Sequence, residues 1–240
     1  MITMKNETMQ ISIVLPVFSE TSSLIKTVEE IKAVTPKQYF KEIVIIVSPK
    51  STQESVDICK DLSQKDTGIC CYIQQNNPGI GWAFREAFQK ARGTHVIMMA
   101  SDGETDPKAI PLMIQKMRET GCDIVAANRW VRGGGFQGYS FLKKILNFLF
   151  QRIIAVMYVS AIGDYTYAFR LYKMEALEGQ AWQETRHPFL LESLLRPLKK
   201  GCTVQQVPAV WHSRTEGKSQ NTFLQNFVYF RTAVKIYFER

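Results

Sequence analysis

The apolar run that opens HVIMMASDGETDP, His95 to Pro107, stops abruptly at three acids, Asp102, Glu104 and Asp106. A buried strand that delivers carboxylates into a loop can hold a hard divalent cation, and magnesium or manganese would choose such oxygens while leaving coordination sites for phosphate. Asp106 has a second explanation, because an Asp-Pro step caps a helix that starts at Pro107. Asp102 and Glu104 precede the cap and are not explained by it. They are the candidate metal ligands, for Mg2+ or Mn2+.

Cationic and glycine-rich loops supply the complementary chemistry. Arg129 and Arg132 precede Gly133, Gly134 and Gly135, a pattern that suits closure over an anion or a solvated surface loop. Arg214-Thr215-Glu216-Gly217-Lys218-Ser219 is a second cationic loop, in which Arg214 and Lys218 could hold a diphosphate. It is not a Walker loop, because His212 stands where the upstream glycine is required. Asn77 to Gly81 is too short for a dinucleotide fingerprint, but Gly79 lets the backbone approach a neighbour or a ligand closely. In PVFSE, Pro16 ends strand pairing, and Glu20 either faces a ligand at the sheet edge or opens the next helix. His187 and His212 lack a Ser or Cys elbow, so they are expected to be structural.

These residues need elements to place them. The first half alternates short Ile/Val runs with helical periods, ISIVLPV, EIVIIVS, ICCYIQ and HVIMMA being the strands, a βαβαβαβ pattern with DIVAAN as a further strand. Strands of this kind are buried on both faces of a mostly parallel sheet, and ligands bind at the edge where the strands end. After the glycine run, Phe141 to Gly163 carries Lys143, Asn147 and Gln151 on one side and Leu142, Ile145, Leu146, Leu149, Ile153 and Val156 on the other. Arg152 inside a spanning helix would cost roughly 3 kcal/mol, so the segment is expected to lie in a membrane interface or pack on protein. Phe223, Phe227, Phe230, Val234 and Phe238 make a similar face beside Arg231 and Lys235.

With 240 residues, 45% hydrophobic, the chain suits one domain with a buried core. A net charge of +8 points to an anionic partner. The aromatics sit on apolar faces without stacking-platform spacing, which argues against nucleic acid. Five cysteines without CxxC spacing indicate neither zinc nor a disulfide framework and imply a reducing, cytoplasmic setting, and MITMKNETMQ lacks the apolar core of a signal peptide.

Six segments, in order, resemble family 2 glycosyltransferases of the GT-A fold, and within them the polyprenyl-phosphate (dolichyl-phosphate) hexosyltransferases. PVFSE is similar to P-x-Y-N-E, NPGIGWAFREAFQKARG to the N-x-G-x-G segment, and ASDGETDP to DAD-x-(Q/S)-x-x-P. NRWVRGGG is similar to S-R-Y-V-x-G-G, GDYTYAFRLYK to D-x-T-S-G-F-R-L-Y, and RTEGKS to R-x-x-G-x-S. Ala100 replaces the first Asp of the metal motif, Ser48 and Pro49 replace an Asp pair, Phe18 and Ser19 replace Tyr-Asn, Ala168 replaces Gly, and Gln220 replaces Lys.

The resemblance implies an α/β GT-A domain over 1–220, including an interface helix at about 141–163, and a C-terminal amphipathic helix over 221–240. It implies that Pro16, Glu20 and Gly79 border the nucleotide-sugar site. Asp102 and Glu104 would hold the cation on the donor diphosphate, with Arg214 and Lys218 closing over its phosphates. Arg129 and Arg132 would meet the acceptor phosphate or the donor diphosphate. The implied reaction moves a hexose from a nucleotide-diphosphate sugar to a polyprenyl phosphate, with inversion, on an anionic membrane surface. A phosphate acceptor is already anionic and needs alignment rather than a base. Two alternatives stay open from sequence: a soluble enzyme with a hydroxyl acceptor, for which Glu192 is the candidate base, and a non-catalytic nucleotide-binding relative.

Overall fold

The computed structural model describes residues 8–76, 79–214, 216 and 225–239, with side chains for all of these except 225–227. Its first half runs β1 (Ile11–Val17), α1 (Ser22–Val34), β2 (Phe40–Val47), α2 (Gln53–Lys65), β3 (Ile69–Ile73), α3 (Ile80–Lys90) and β4 (His95–Met98). A single 3-10 turn (Pro107–Ala109) leads into α4 (Ile110–Thr120) and β5 (Ile124–Asn128). There follow β6 (Gly135–Gln137), α5 (Phe141–Met157), β7 (Arg170–Lys173), α6 (Met174–Leu177), α7 (Phe189–Lys199), β8 (Val204–Pro208), β9 (Val210–His212) and α8 (Gln225–Phe238). The expected cap is present, since Asp106 Oδ1 accepts from the Lys108 N–H at 3.0 Å.

Seven strands form the main sheet in the order β3-β2-β1-β4-β7-β5-β8. The sequence reading of a mostly parallel sheet holds, with one insertion it did not contain: β7 runs antiparallel between β4 and β5. β1 pairs with both β2 and β4, so the strand order reverses beside it, which opens a crevice at the strand ends. The two-residue period of buried strands sets two cores. Ile13, Leu15, Ile43, Ile45 and Ile97 pack on one face of the sheet, and Val14, Val44, Ile46, Val96 and Met98 on the other.

Helix α5 turns both Gln151 and Ile154 into the protein. Its polar stripe faces the protein, where Gln151 is 2% exposed and donates to Thr166 Oγ1 at 2.8 Å, while its carbonyl accepts from the Tyr165 N–H at 2.7 Å. Of its apolar side chains, Phe141 is 78%, Leu142 65% and Val156 79% exposed, while Leu146, Leu149 and Ile153 border the cavity described below. On α8, Tyr229, Ala233 and Ile236 are buried, whereas Phe230 and Phe238 are exposed. Of the face expected there, Phe223 and the Phe227 side chain lie outside the described residues, as does the expected domain boundary near 220. Among the described residues no helix is long and apolar enough to cross a membrane.

Candidate active site

The ends of β1, β2, β3 and β4 open into one cavity of about 1290 Å³. Pro16 to Glu20 line it from β1, Ser48 from β2, Gln74 from β3, and Ala100, Asp102 and Glu104 from β4. Glu20 is turned back on its own loop, where one carboxylate oxygen accepts from the Phe18 and Ser19 N–H groups at 2.7 and 3.1 Å. Gly79 also borders the cavity, and its lack of a side chain serves a close backbone contact: a Cβ there would lie 2.2 Å from the Thr185 carbonyl oxygen.

Asp102 and Glu104 come together as expected, and Arg214 sits on both. Its Nη2 lies 2.8 Å from Glu104 Oε1 and 3.1 Å from Asp102 Oδ2, and its Nε donates to Glu104 Oε1 at 2.8 Å. Trp211 Nε1 donates to the other Glu104 oxygen at 3.3 Å. Burial first, and then the neighbouring Asp102 charge, push the Glu104 carboxyl above its ordinary range despite Arg214. Burial works to lower the Arg214 guanidinium, but Glu104 and Asp102 outweigh it and raise it. The placement follows from β9, because Thr105 and Trp211 form an antiparallel bridge and the His212 N–H donates to the Glu104 carbonyl at 3.2 Å.

Two residues on, Glu216 reaches the start of α1. Its carboxylate accepts from the Thr21 N–H at 2.9 Å and the Ser23 hydroxyl at 3.0 Å, and also from the Ser22 hydroxyl. Partial burial would raise this carboxyl, but the hydrogen bonds hold it down to about 2. Lys218 lies outside the described residues.

Arg129, Arg132 and Glu192 sit in three different environments. Arg129 borders the cavity, but its Nε and Nη2 are bonded to the Asp164 carboxylate at 2.7 and 2.8 Å, and it lies between the rings of Phe136 and Tyr167. Burial alone would lower its pKa, and Asp164 outweighs burial and raises it. Arg132 is exposed on the turn before β6 and does not line the cavity, because the chain reverses there at Gly133, with φ +89°.

Glu192, the candidate base for a hydroxyl acceptor, does not line the cavity. It is 0% exposed, and its oxygens accept from the Gln183 and Glu184 N–H groups at 2.9 and 2.8 Å and from Arg196 Nε at 2.6 Å. Residues 191–197 of α7 are buried on every side, and within that shell the carboxylate ties the 183–184 loop to the helix. Glu192→Gln is expected to lower stability by about 2–3 kcal/mol, because the amide cannot accept from all three donors and leaves Arg196 less compensated. A thermal melt checks this, and turnover measured well below the melt should be unchanged.

No sequence motif assigns a role to Asp164, Trp211 or Glu216, and His187, expected to be structural, borders the cavity. Asp164 lies in GDYTYAFRLYK, where an acid beside a buried aromatic run signals a paired charge. Trp211 and Glu216 carried no local signal. The far end of the cavity is apolar, lined by Leu146, Leu149, Phe150 and Ile153 of α5, Leu190 of α7, and Tyr229 and Phe230 of α8.

The chain is similar to several known proteins. The glycosyltransferase AglD of Haloferax volcanii is 25% identical over 225 residues, covering 87% of this chain and 34% of its own length. The dolichol-phosphate mannosyltransferase of Pyrococcus furiosus is 24% identical over 225 residues, covering 93% of this chain and 62% of its own. The chain therefore spans about a third and somewhat under two thirds of these two relatives. Glucosyl-3-phosphoglycerate synthase of Mycobacterium tuberculosis, solved with Mn2+, UDP and phosphoglyceric acid, superposes with a TM-score of 0.71 at 14% identity, over 97% of this chain and 80% of that one. That similarity identifies the GT-A fold. The model of glycosyl transferase family 2 matches residues 12–179, from the first strand of the parallel half through the carboxylate segment to β7 and α6, and the chain belongs to that family.

Proposed function

We propose that the chain transfers a hexose from a nucleotide-diphosphate sugar of the GDP-mannose or UDP-glucose type to a polyprenyl phosphate, with inversion, while lying on an anionic membrane surface. The observation that carries this reading is the shape of the cavity, charged where the strands end and apolar where it passes between α5 and α8. The exposed apolar side chains of α5 support it, since a lipid surface would cover Phe141, Leu142 and Val156 and leave Lys143 and Lys144 among anionic headgroups. The relative named a dolichol-phosphate mannosyltransferase is consistent with it.

Asp102 and Glu104 suit a hard divalent cation, as two carboxylates at a strand end. Among the described residues no group of three or more His, Cys, Asp or Glu could hold a metal, so donor diphosphate oxygens and water would complete the shell. A bound Mg2+ or Mn2+ supplies charge stabilisation to the leaving diphosphate. Arg129 and Lys143 are cationic side chains on the same cavity wall as Leu149 and Ile153, so they would hold an acceptor phosphate with its chain on the apolar side. That phosphate needs orientation but no general base, which agrees with the withdrawal of Glu192 into the protein.

The test is radiolabelled transfer from GDP-mannose and UDP-glucose to polyprenyl phosphate in anionic vesicles. Labelled lipid is expected, together with co-flotation that weakens as salt rises. A protein that never co-floats at low salt, or that glycosylates only hydroxyl acceptors, overturns the lipid-phosphate reading.

A further inference from the structure

We infer that Arg214 is an internal counter-cation for the carboxylate pair, so that a divalent metal joins Asp102 and Glu104 only together with the nucleoside diphosphate that draws Arg214 away. This rests on the donor reading above and concerns the order in which that site fills.

All four oxygens of the pair are already engaged. Asp102 Oδ1 accepts from the Glu104 N–H at 3.0 Å, Asp102 Oδ2 and Glu104 Oε1 face Arg214, and Glu104 Oε2 faces Trp211. A metal arriving alone would have to displace the guanidinium or sit against it, and two cations a few ångströms apart in a partly buried site repel strongly. A diphosphate changes the balance, because its oxygens accept bidentately from a guanidinium and neutralise both cations. The missing third acid, Ala100, works the same way: the pair alone offers too few oxygens to compete for a metal without the diphosphate.

Glu216 makes the exchange local. Its bonds to Thr21, Ser22 and Ser23 hold this stretch to the start of α1, so Arg214 can leave the carboxylates while its chain stays anchored beside the cavity. The distance to be covered is that of a side-chain swing, since Arg214 already borders the same cavity.

The test is Mn2+ titration followed by electron paramagnetic resonance, with metal alone as the primary measurement. Wild type is expected to bind Mn2+ weakly, and Arg214→Gln to bind it about tenfold or more tightly, a change of roughly 1.4 kcal/mol. Arg214→Lys keeps the charge but loses the fork, and should fall between the two. The double variant Arg214→Gln/Asp102→Asn should lose the gain, which places the ion at the pair. Equal metal-only affinity in wild type and Arg214→Gln overturns the inference, as does a gain that survives in the double variant. UDP and GDP binding measured on the same proteins separates this from the donor reading: if neither nucleotide binds, the donor reading fails, whereas nucleotide binding with unchanged metal-only affinity defeats the counter-cation alone.

Discussion

Asp102→Asn is expected to lower sugar transfer by roughly 10²–10³, the cost of removing one preorganised charge that acts on a leaving group. Asp102 shares Arg214 with Glu104 and has no second acid beside it at position 100. The amide keeps the shape of the loop, because its carbonyl can still accept from the Glu104 N–H. The loss should therefore fall on cation-supported donor binding and not on folding. Thermal stabilisation by a nucleotide sugar with Mn2+ separates these effects, since a ligand at a hundredfold its dissociation constant adds about 2.7 kcal/mol. Wild type should show that stabilisation and lose it in EDTA, and Asp102→Asn should not show it. Donor binding that persists through both treatments would remove Asp102 from the donor site.

Arg129→Ala is expected to destabilise the protein by about 3–5 kcal/mol, which for a domain of this size lowers the melting temperature by roughly 10 °C. The reason is Asp164, which is 0% exposed and would be left as a buried carboxylate without its cation. Gln151, Thr166 and the Tyr167 N–H also converge on this pair, so its loss loosens the contact between α5 and the cavity wall. Asp164→Asn should cost a similar amount. Replacing both with apolar residues of similar volume should cost less than either single change, because no unpaired charge remains. Chemical denaturation of the three variants checks this. A destabilisation below about 1 kcal/mol for Arg129→Ala, joined to a large loss of turnover, would instead make the guanidinium chiefly a phosphate ligand.

What the sequence by itself determined is local. The short continuous apolar runs of ISIVLPV and EIVIIVS make strands buried on both faces, the step from apolar run to acid puts Asp102 and Glu104 at a strand end, and Asp-Pro caps the turn that leads into α4. The four-residue spacing of Asn147 and Gln151 makes α5 two-faced. Each of these depends on neighbours within one or two turns of chain, so backbone sterics and periodicity suffice. What the tertiary structure decided is which charge meets which, and which face of a stripe turns inward. Arg129 finds Asp164 from 35 residues away and Arg214 finds Glu104 from 110, and neither distance leaves a periodic trace. The direction of β7 is set by pairing on both sides, and the inward turn of the polar stripe of α5 by the buried Asp164, Thr166 and Tyr165 N–H that Gln151 satisfies. Glu192 reads as a free carboxylate in FLLE and becomes a buried anchor only because Arg196, Gln183 and Glu184 are folded around it. An ionised side chain is selected by long-range complementarity, since a buried charge is stable only beside its partner, and that partner is chosen by topology.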